Sequence, residues 1–359
     1  MSVPDLVVAG GGIVGLTTAL VAARRGLRVT IVDQPRAGAA SRAAAGLLAP
    51  SLGDASPEVR AAGIAAREYY PAFLDQLLAR AEITVPSDRD GIIELASSSQ
   101  AVDALFASAP PTAERLDARA LAALEPALAH HAGALLHPLD GAVDNVTLMN
   151  ALDVAVARQS RIARMTDEVA SFDARGNLPG FRSRGGTRYA GQRLLVANGA
   201  WAGSLPGIPH PLPVRPVRGQ LMRLEGRAIR HVTYAAGGGY LVPRGNSLVV
   251  GATSEEAGLD PSTTPRGLKD LRAIAARIIP VLAHAPMLEH WAGLRPMASD
   301  GLPIVGADPD LPAVSYACGF SRNGILLAPW MAEQLLPVLM GGSLPDVLAP
   351  FSVARFTRS

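Results

Sequence analysis

Short apolar runs that stop at glycine, separated by an Ala- and Leu-rich stretch, set the rhythm of the first 33 residues. Leu6-Val7-Val8-Ala9 is apolar at every position, the pattern of a strand buried on both faces. Gly10-Gly11-Gly12 breaks it. Ile13 to Arg25 predicts a helix, with Gly26 suited to the position just past its end. Leu27 to Val32 is a second apolar strand that ends in Asp33. These pieces predict a strand–helix–strand unit.

Further along, residues 57 to 81 predict a long helix of small, apolar and charged residues. Residues 83 to 140 are a patchwork: Ile92-Ile93-Glu94-Leu95 predicts a strand, and Ala101 to Ser108 and Ala118 to Leu124 predict helices. Val146 to Gln159 predicts another helix. Leu194-Leu195-Val196-Ala197 reads as a third buried strand, stopped by Asn198-Gly199. Prolines and alternating apolar positions over 208 to 253, as in Gln220-Leu221-Met222-Arg223-Leu224 and Leu248-Val249-Val250, predict antiparallel strands. Leu268 to Ile279 predicts a helix stopped by Pro280. Ala313 to Ala317 predicts a strand and Gly324 to Met340 a helix with Pro329 near its start. The fold class that follows is α/β: a nucleotide-binding lobe made of separated chain pieces, interrupted by a mostly antiparallel β lobe.

Composition narrows the partners. With 49% hydrophobic and 18% charged residues the chain is globular rather than disordered. A formal net charge of +2 gives no reason to expect nucleic acid. The single cysteine, Cys318, excludes an internal disulfide or a thiolate metal site, and the chain reads as intracellular and cytoplasmic. The N-terminus lacks a basic region followed by a free apolar stretch, so no signal peptide is expected. No apolar run reaches the roughly 18 residues of a membrane span, although a peripheral membrane contact is compatible with the sequence. No His, Asp or Glu spacing suggests a metal. His130, His131 and His137 read as surface histidines, and Cys318, in a buried strand, reads as a small apolar residue.

The glycines carry the first chemistry. Gly10-x-Gly12-x-x-Gly15 follows a strand and opens a helix. The first glycine permits the turn, the second lets backbone approach a diphosphate, and the third lets the helix pack against the sheet. The helix N-terminus offers free N–H groups and partial positive charge to the phosphates. Asp33 stands 18 positions after Gly15, near the roughly 20 of dinucleotide sites. Its carboxylate suits ribose hydroxyls and repels a 2′-phosphate, which argues against NADP. The motif alone does not choose between NAD and FAD.

Other stretches carry a resemblance. Ala39-Ala40-Ser41-Arg42-Ala43-Ala44-Ala45-Gly46-Leu47-Leu48-Ala49-Pro50, Val196 to Trp201, Arg215 to Gln220, Tyr240 to Arg244, Trp291 to Pro296 and Arg322 to Pro329 span nearly the whole chain. In this order, with the N-terminal fingerprint, they resemble the D-amino-acid oxidase superfamily, and within it the glycine oxidase branch linked to making the thiazole of thiamine. The resemblance implies non-covalently bound FAD. It implies a Rossmann-like FAD-binding domain over 1–82, 141–207 and 290–359. An inserted α+β substrate domain then takes 83–140 and 208–289.

Expected cofactor contacts are Gly10, Gly12, Ile13, Val14, Gly15, Asp33 and Gln34 in the fingerprint. Ser41, Arg42, Ala44, Ala45, Gly46 and Leu47 follow; within them the small-residue run Ala43-Ala44-Ala45-Gly46 suits a flat ring, since side chains larger than methyl would hold the backbone off it. Val169 is expected near the adenine, and Asn198, Gly199 and Trp201 are further expected cofactor contacts. Phe320, Arg322, Asn323, Gly324, Ile325 and Leu326 are expected along the pyrimidine edge, where a helix start near Gly324 favours negative charge on the reduced flavin.

The resemblance also places Arg295, Tyr240 and Arg322 on the substrate carboxylate. A guanidinium grips a carboxylate through two parallel hydrogen bonds and so fixes its orientation. The implied reaction is oxidative deamination of glycine or an N-substituted glycine. Hydride passes from the α-carbon to the flavin, water hydrolyses the imine, and oxygen is reduced to peroxide. Arg218 and Arg244 read as scaffold. Relatives of this type are commonly oligomers, so a homo-oligomer is expected.

Three departures stand out. Glycine oxidases often read Gly-His-(aromatic)-Arg-Asn-Gly, whereas this chain has Gly319-Phe320-Ser321-Arg322-Asn323-Gly324. Gly237-Gly238-Gly239 precedes Tyr240, and Ser254 follows Gly251-Ala252-Thr253. All three suggest a roomier amine side and motivate an N-substituted glycine as substrate. Competing readings are a D-amino-acid or secondary-amine dehydrogenase that reduces a quinone or partner protein, a flavin-binding protein without amine chemistry, and, weakest, an NAD-dependent dehydrogenase.

Overall fold

The computed structural model describes residues 3–53, 55–235 and 237–357. Its organising element is a six-stranded sheet in the order 304–307, 314–318, 193–196, 6–9, 29–33, 162–166. All neighbours are parallel except the 304–307 edge. The central strand Leu6–Ala9 shows why the run is apolar throughout. Leu6 and Val8 point into one core with Leu16, Leu148 and Leu327. Val7 and Ala9 point into another with Phe172, Phe181 and Tyr316.

The helices Ile13–Arg24, Pro57–Ala81, Asn145–Ala157 and Gly324–Leu339 cover the first face. A small sheet of Val169–Asp173, Gly180–Ser183 and Arg188–Ala190, absent from the sequence reading, covers the second. This is the Rossmann-like α/β architecture expected. Helix ends carry local signals: the Ser56 hydroxyl accepts from Val59 N–H ahead of Pro57, and Asp144 accepts from Val146 and Thr147.

The second lobe is an eight-stranded sheet in the order 287–298, 214–225, 247–251, 240–244, 232–234, 92–95, 133–137, 114–117. Only the 232–234 and 92–95 pair is parallel. Met287–Ala298 pairs with Val214–Glu225 along nearly its whole length, so the sequence division at residue 290 cuts through a strand of this sheet. The Trp-Ala-Gly-Leu-Arg-Pro motif, residues 291–296, lies on that strand. The helix Pro265–Ile278 seals the sheet with Leu271, Ala275 and Ile278.

His137 corrects the reading of the three histidines as surface residues. It is 3% exposed and its Nε2 lies 2.9 Å from Glu94 Oε2 on the neighbouring strand. An alternating strand sends its last side chain inward, where a buried polar ring requires a partner. His131 is half-buried with its Nε2 2.9 Å from the Ile278 carbonyl, and His130 is exposed.

A second histidine ties a loop to the six-stranded sheet. His210 Nδ1 lies 3.0 Å from Asp308, a fully buried carboxylate that also accepts from Tyr316 at 2.7 Å. The hydrogen bond to Asp308 holds the imidazole pKa above its ordinary value, so the clamp stabilises most below about pH 6.5 and is lost as pH rises through the raised value. The melting temperature of His210→Gln, measured against wild type, should therefore fall furthest behind near pH 6 and come closer near pH 9. A constant gap across that range would remove the charge from the explanation.

Candidate functional site

The turns that follow the parallel strands converge in one crevice at their carboxyl ends. These are Gly10–Gly12 after 6–9, Gln34 after 29–33, Ala197–Gly199 after 193–196 and Phe320–Gly324 after 314–318. The eight-stranded sheet closes the far side with Gly219, Leu221, Tyr240, Gly293 and Arg295. The result is one continuous cavity of about 420 Å³.

Backbone forms much of its wall. A Cβ at Gly10 would meet the Ala197 carbonyl at 2.5 Å, and φ there is +111°. At Gly11 a Cβ would meet the Asp33 carboxylate at 2.5 Å. Gly15 packs its own turn against the Gly10 carbonyl, which places it behind the wall rather than on it. The helix Ile13–Arg24 has Gly12 at its N-cap, no side-chain cap and no acid in its first turn. One of its free N–H groups, on Ile13, donates to Ser41 Oγ at 3.0 Å. Asn198 Oδ1 is buried without a partner in the protein.

The remaining N–H groups of the helix start and the glycines that admit backbone only fit a dinucleotide diphosphate, while the unsatisfied Asn198 oxygen, an acceptor, calls for a donor such as a ribose hydroxyl. Asp33, at the end of its strand, lines the cavity with a carboxylate suited to ribose hydroxyls. The middle of the cavity is bare: Ala39, Ala40, Ala43, Ala44, Ala45 and Gly46 present nothing larger than methyl, as a flat ring system requires.

Charge is divided between the two ends. At the dinucleotide end, Arg164 bridges Asp153 at 2.5 Å and Asp33 at 3.5 Å, and Arg42 takes the other Asp153 oxygen at 2.5 Å. Arg36 stacks over Trp201, 4.9 Å from the ring centroid, and pairs with Glu168 at 3.1 Å. At the sheet end there are two guanidiniums and a phenol. Arg295 Nη1 donates to the Thr253 carbonyl at 3.0 Å. Glu255, the acid whose charge reaches Arg295, is already bound by Arg218, Gln220 and Thr253. Burial lowers the Arg295 pKa but leaves it a cation, and burial raises that of Tyr240.

Both groups depend on glycine. Gly219 lies beneath the Arg295 guanidinium and Gly251 beneath the Tyr240 ring, and a Cβ at either position would overlap those side chains. Gly251 is the cross-strand partner of Tyr240.

Most residues expected from sequence reach this cavity. Gly10, Gly12, Ile13, Val14, Asp33, Gln34, Ser41, Arg42, Ala44, Ala45, Gly46, Leu47, Val169, Asn198, Gly199, Trp201, Tyr240, Arg295, Phe320, Arg322, Gly324 and Ile325 line it. Three stand outside. Gly15 is a packing residue, Asn323 is the N-cap of the last helix, and Leu326 points into the core toward Gly63. Gly237–Gly239 and the exposed Ser254 are likewise absent from the lining, and Gly239 instead makes room for Ile274. Two of the three departures therefore do not widen the cavity.

Sequence reading missed Arg36, Asp153, Arg164, Glu168 and Gly219. The first four act through pairs distant along the chain. Gly219 sits inside a noted motif, but its role needs the strand register. Cys318 does touch the cavity, and burial pushes its thiol up to about 12. Among the described residues no cluster of metal-ligating side chains occurs, and no helix is long and apolar enough to cross a membrane.

Known proteins resemble this chain in sequence and fold. The glycine oxidase of Geobacillus kaustophilus (strain HTA426) is 32% identical over 98% of this chain and 97% of its own length. A crystal structure of glycine oxidase from Geobacillus kaustophilus superposes with a TM-score of 0.90, at 30% identity and 98% coverage of both chains. That of iminodiacetate oxidase from Chelativorans sp. BNC1 gives 0.89 at 26% identity, covering 97% of this chain and 98% of that one. A family model described as FAD dependent oxidoreductase matches residues 5–336. The chain belongs to this family of FAD dependent oxidoreductases, and FAD is its cofactor.

Proposed function

We propose that this protein oxidises the Cα–N bond of glycine or an N-substituted glycine, with Arg295, Arg322 and Tyr240 holding the substrate carboxylate. One observation carries the reading: the sheet end of the cavity presents two guanidiniums and a phenol, and no carboxylate lines it there. Two unpaired cations beside an apolar wall call for an anionic ligand. The relatives named as oxidases of glycine and of iminodiacetate support a carboxylate next to an amine.

FAD, when bound, supplies the hydride acceptor. The residues supply position. Arg295 is pressed between its donor bond to Thr253 and the bare backbone of Gly219, so its fork has one orientation. A carboxylate gripped there has its α-carbon fixed over the Ala- and Gly-lined slot, where orientation contributes much of the rate. Leu47, Leu221 and Phe320 supply apolar wall and limit water.

None of the lining residues is a histidine, and the lining acids Asp33, Asp153, Asp167 and Glu168 belong to the dinucleotide end. The chain thus offers no general base at the reacting carbon. The substrate enters as its free amine and gives up hydride directly. Water then converts the imine to glyoxylate plus ammonia or a primary amine, and oxygen takes the two electrons and two protons as peroxide. Burial holds the Cys318 thiol above its ordinary range, which disfavours the thiolate that a covalent link to FAD would require.

Two outcomes follow. Gly219→Ala displaces the Arg295 guanidinium and loses a charge-assisted bond of about 1.5–3 kcal/mol. In steady-state kinetics KM for the amino acid should rise roughly 10- to 100-fold, with FAD still bound; an unchanged KM would remove Arg295 from the carboxylate. Further, kcat/KM should rise with pH along the ionisation of the substrate's own amine. Exchanging glycine for an N-substituted glycine of different amine pKa should shift the profile by the same amount. A profile that stays fixed across substrates would point to a protein base.

A further inference from the structure

The run from Gly38 to Gly46 crosses the cavity wall with its carbonyls tied from behind. Asn145 Nδ2 donates to Ser41 O at 3.0 Å and to Arg42 O at 3.1 Å. Trp291 Nε1 donates to Ala43 O at 2.9 Å, and Arg244 Nη2 to Ala45 O at 2.7 Å. Backbone N–H groups complete the series: Leu294 to Gly38 O, Ala44 to Ala40 O and Val143 to Gly46 O. The three side chains come from a helix of one lobe and two strands of the other.

On the opposite edge the Ala45 and Gly46 N–H groups find no acceptor among the described residues, although both residues are buried and line the cavity. A buried backbone N–H left unpaired costs about as much as a lost hydrogen bond, so such groups are met by a partner. Here that partner is whatever fills the slot.

Arg244 makes the arrangement costly to explain as scaffold alone. Its side chain is 17% exposed, its one hydrogen bond goes to a neutral carbonyl, and the nearest carboxylate, Asp144, lies 3.8 Å away. A salt bridge of better geometry would serve a purely structural purpose. At Gly46, φ is +78° and a Cβ would overlap the Val143 carbonyl, so the peptide cannot turn without breaking the ties.

We propose that Asn145, Trp291 and Arg244 are positioning residues for the cofactor. By holding the carbonyls of residues 41–43 and 45 away from the cavity they aim the Ala45 and Gly46 N–H groups at the electronegative edge of the flavin ring. The Arg244 charge, one peptide away, favours the electron-rich reduced ring. The inference rests on FAD as the cofactor, and it extends the site to three residues that touch neither substrate nor ring. It also couples the lobes, since Arg244 ends the strand that begins at Tyr240.

The test uses full-length protein stripped of FAD and titrated with FAD, which also reads out the non-covalent link. Trp291→Phe keeps the aromatic packing and removes one N–H. It should weaken FAD about tenfold, the equivalent of one buried hydrogen bond, and shift the absorption maximum of bound flavin. Arg244→Met should do both and also lower the flavin midpoint potential, while Arg244→Lys should recover part of that potential. If Arg244→Met does not fold, Trp291→Phe and Arg244→Lys still decide. Wild-type FAD affinity, spectrum and potential in both variants would overturn the proposal. Absence of FAD binding by wild-type protein would instead overturn the reading beneath it.

Discussion

Backbone must reach the cavity without side chains in the way, and the rest of the site is arranged around that constraint. Gly10, Gly11 and Gly12 bring peptide groups to the dinucleotide end, Ala43 to Gly46 bring them to the middle, and Gly219 clears the space in which Arg295 lies. Bare backbone is conformationally loose and rich in polar groups that require partners. Each stretch is accordingly pinned. The six-stranded sheet fixes the glycine turn, and side chains from both lobes tie the alanine run. A wall of small residues becomes a rigid cradle only because larger residues hold it from behind.

The same arrangement separates charge along the cavity. The acids lie at the dinucleotide end, tied into chains by Arg36, Arg42 and Arg164. The sheet end keeps two guanidiniums free of carboxylate partners, because Glu255 is spent on Arg218, Gln220 and Thr253. Burial strengthens the pull of such cations on an anion while making them costly to leave unpaired. On the proposed reading, an amino acid entering that end is gripped by its carboxylate, meets no acid at its amine, and faces its α-carbon toward the slot. The lobes divide the cavity: the parallel sheet supplies the cofactor crevice and Arg322, and the antiparallel sheet supplies Arg295 and Tyr240.

Much of this was legible in the chain because the local signals are strong. The period of Leu6–Ala9, the glycines at 10, 12 and 15 and the acid at 33 define the crevice before any coordinates are known. The Gly-Leu-Arg-Pro and Tyr-Leu-Val-Pro-Arg stretches marked Arg295 and Tyr240. What was not legible depends on register and on contacts between distant segments. Gly219 and Gly251 matter only because strand pairing puts them beneath Arg295 and Tyr240. Arg164 and Asp153 meet across a helix and an edge strand. His137 looked like a surface residue because nothing in its neighbours announces Glu94. Gly237–Gly239 and Ser254 looked like determinants of the pocket, yet a small residue enlarges a cavity only if it faces one.

The most direct measurement is anaerobic mixing of the FAD-loaded protein with amines that differ in one feature. Glycine, sarcosine and a larger N-alkyl glycine carry the carboxylate, and the matching amines without it do not. Flavin bleaching by the carboxylated amines, with peroxide released once air is admitted and little bleaching by the others, is the predicted result. Equal bleaching by amines that lack the carboxylate, or none by any of the set, would contradict the account.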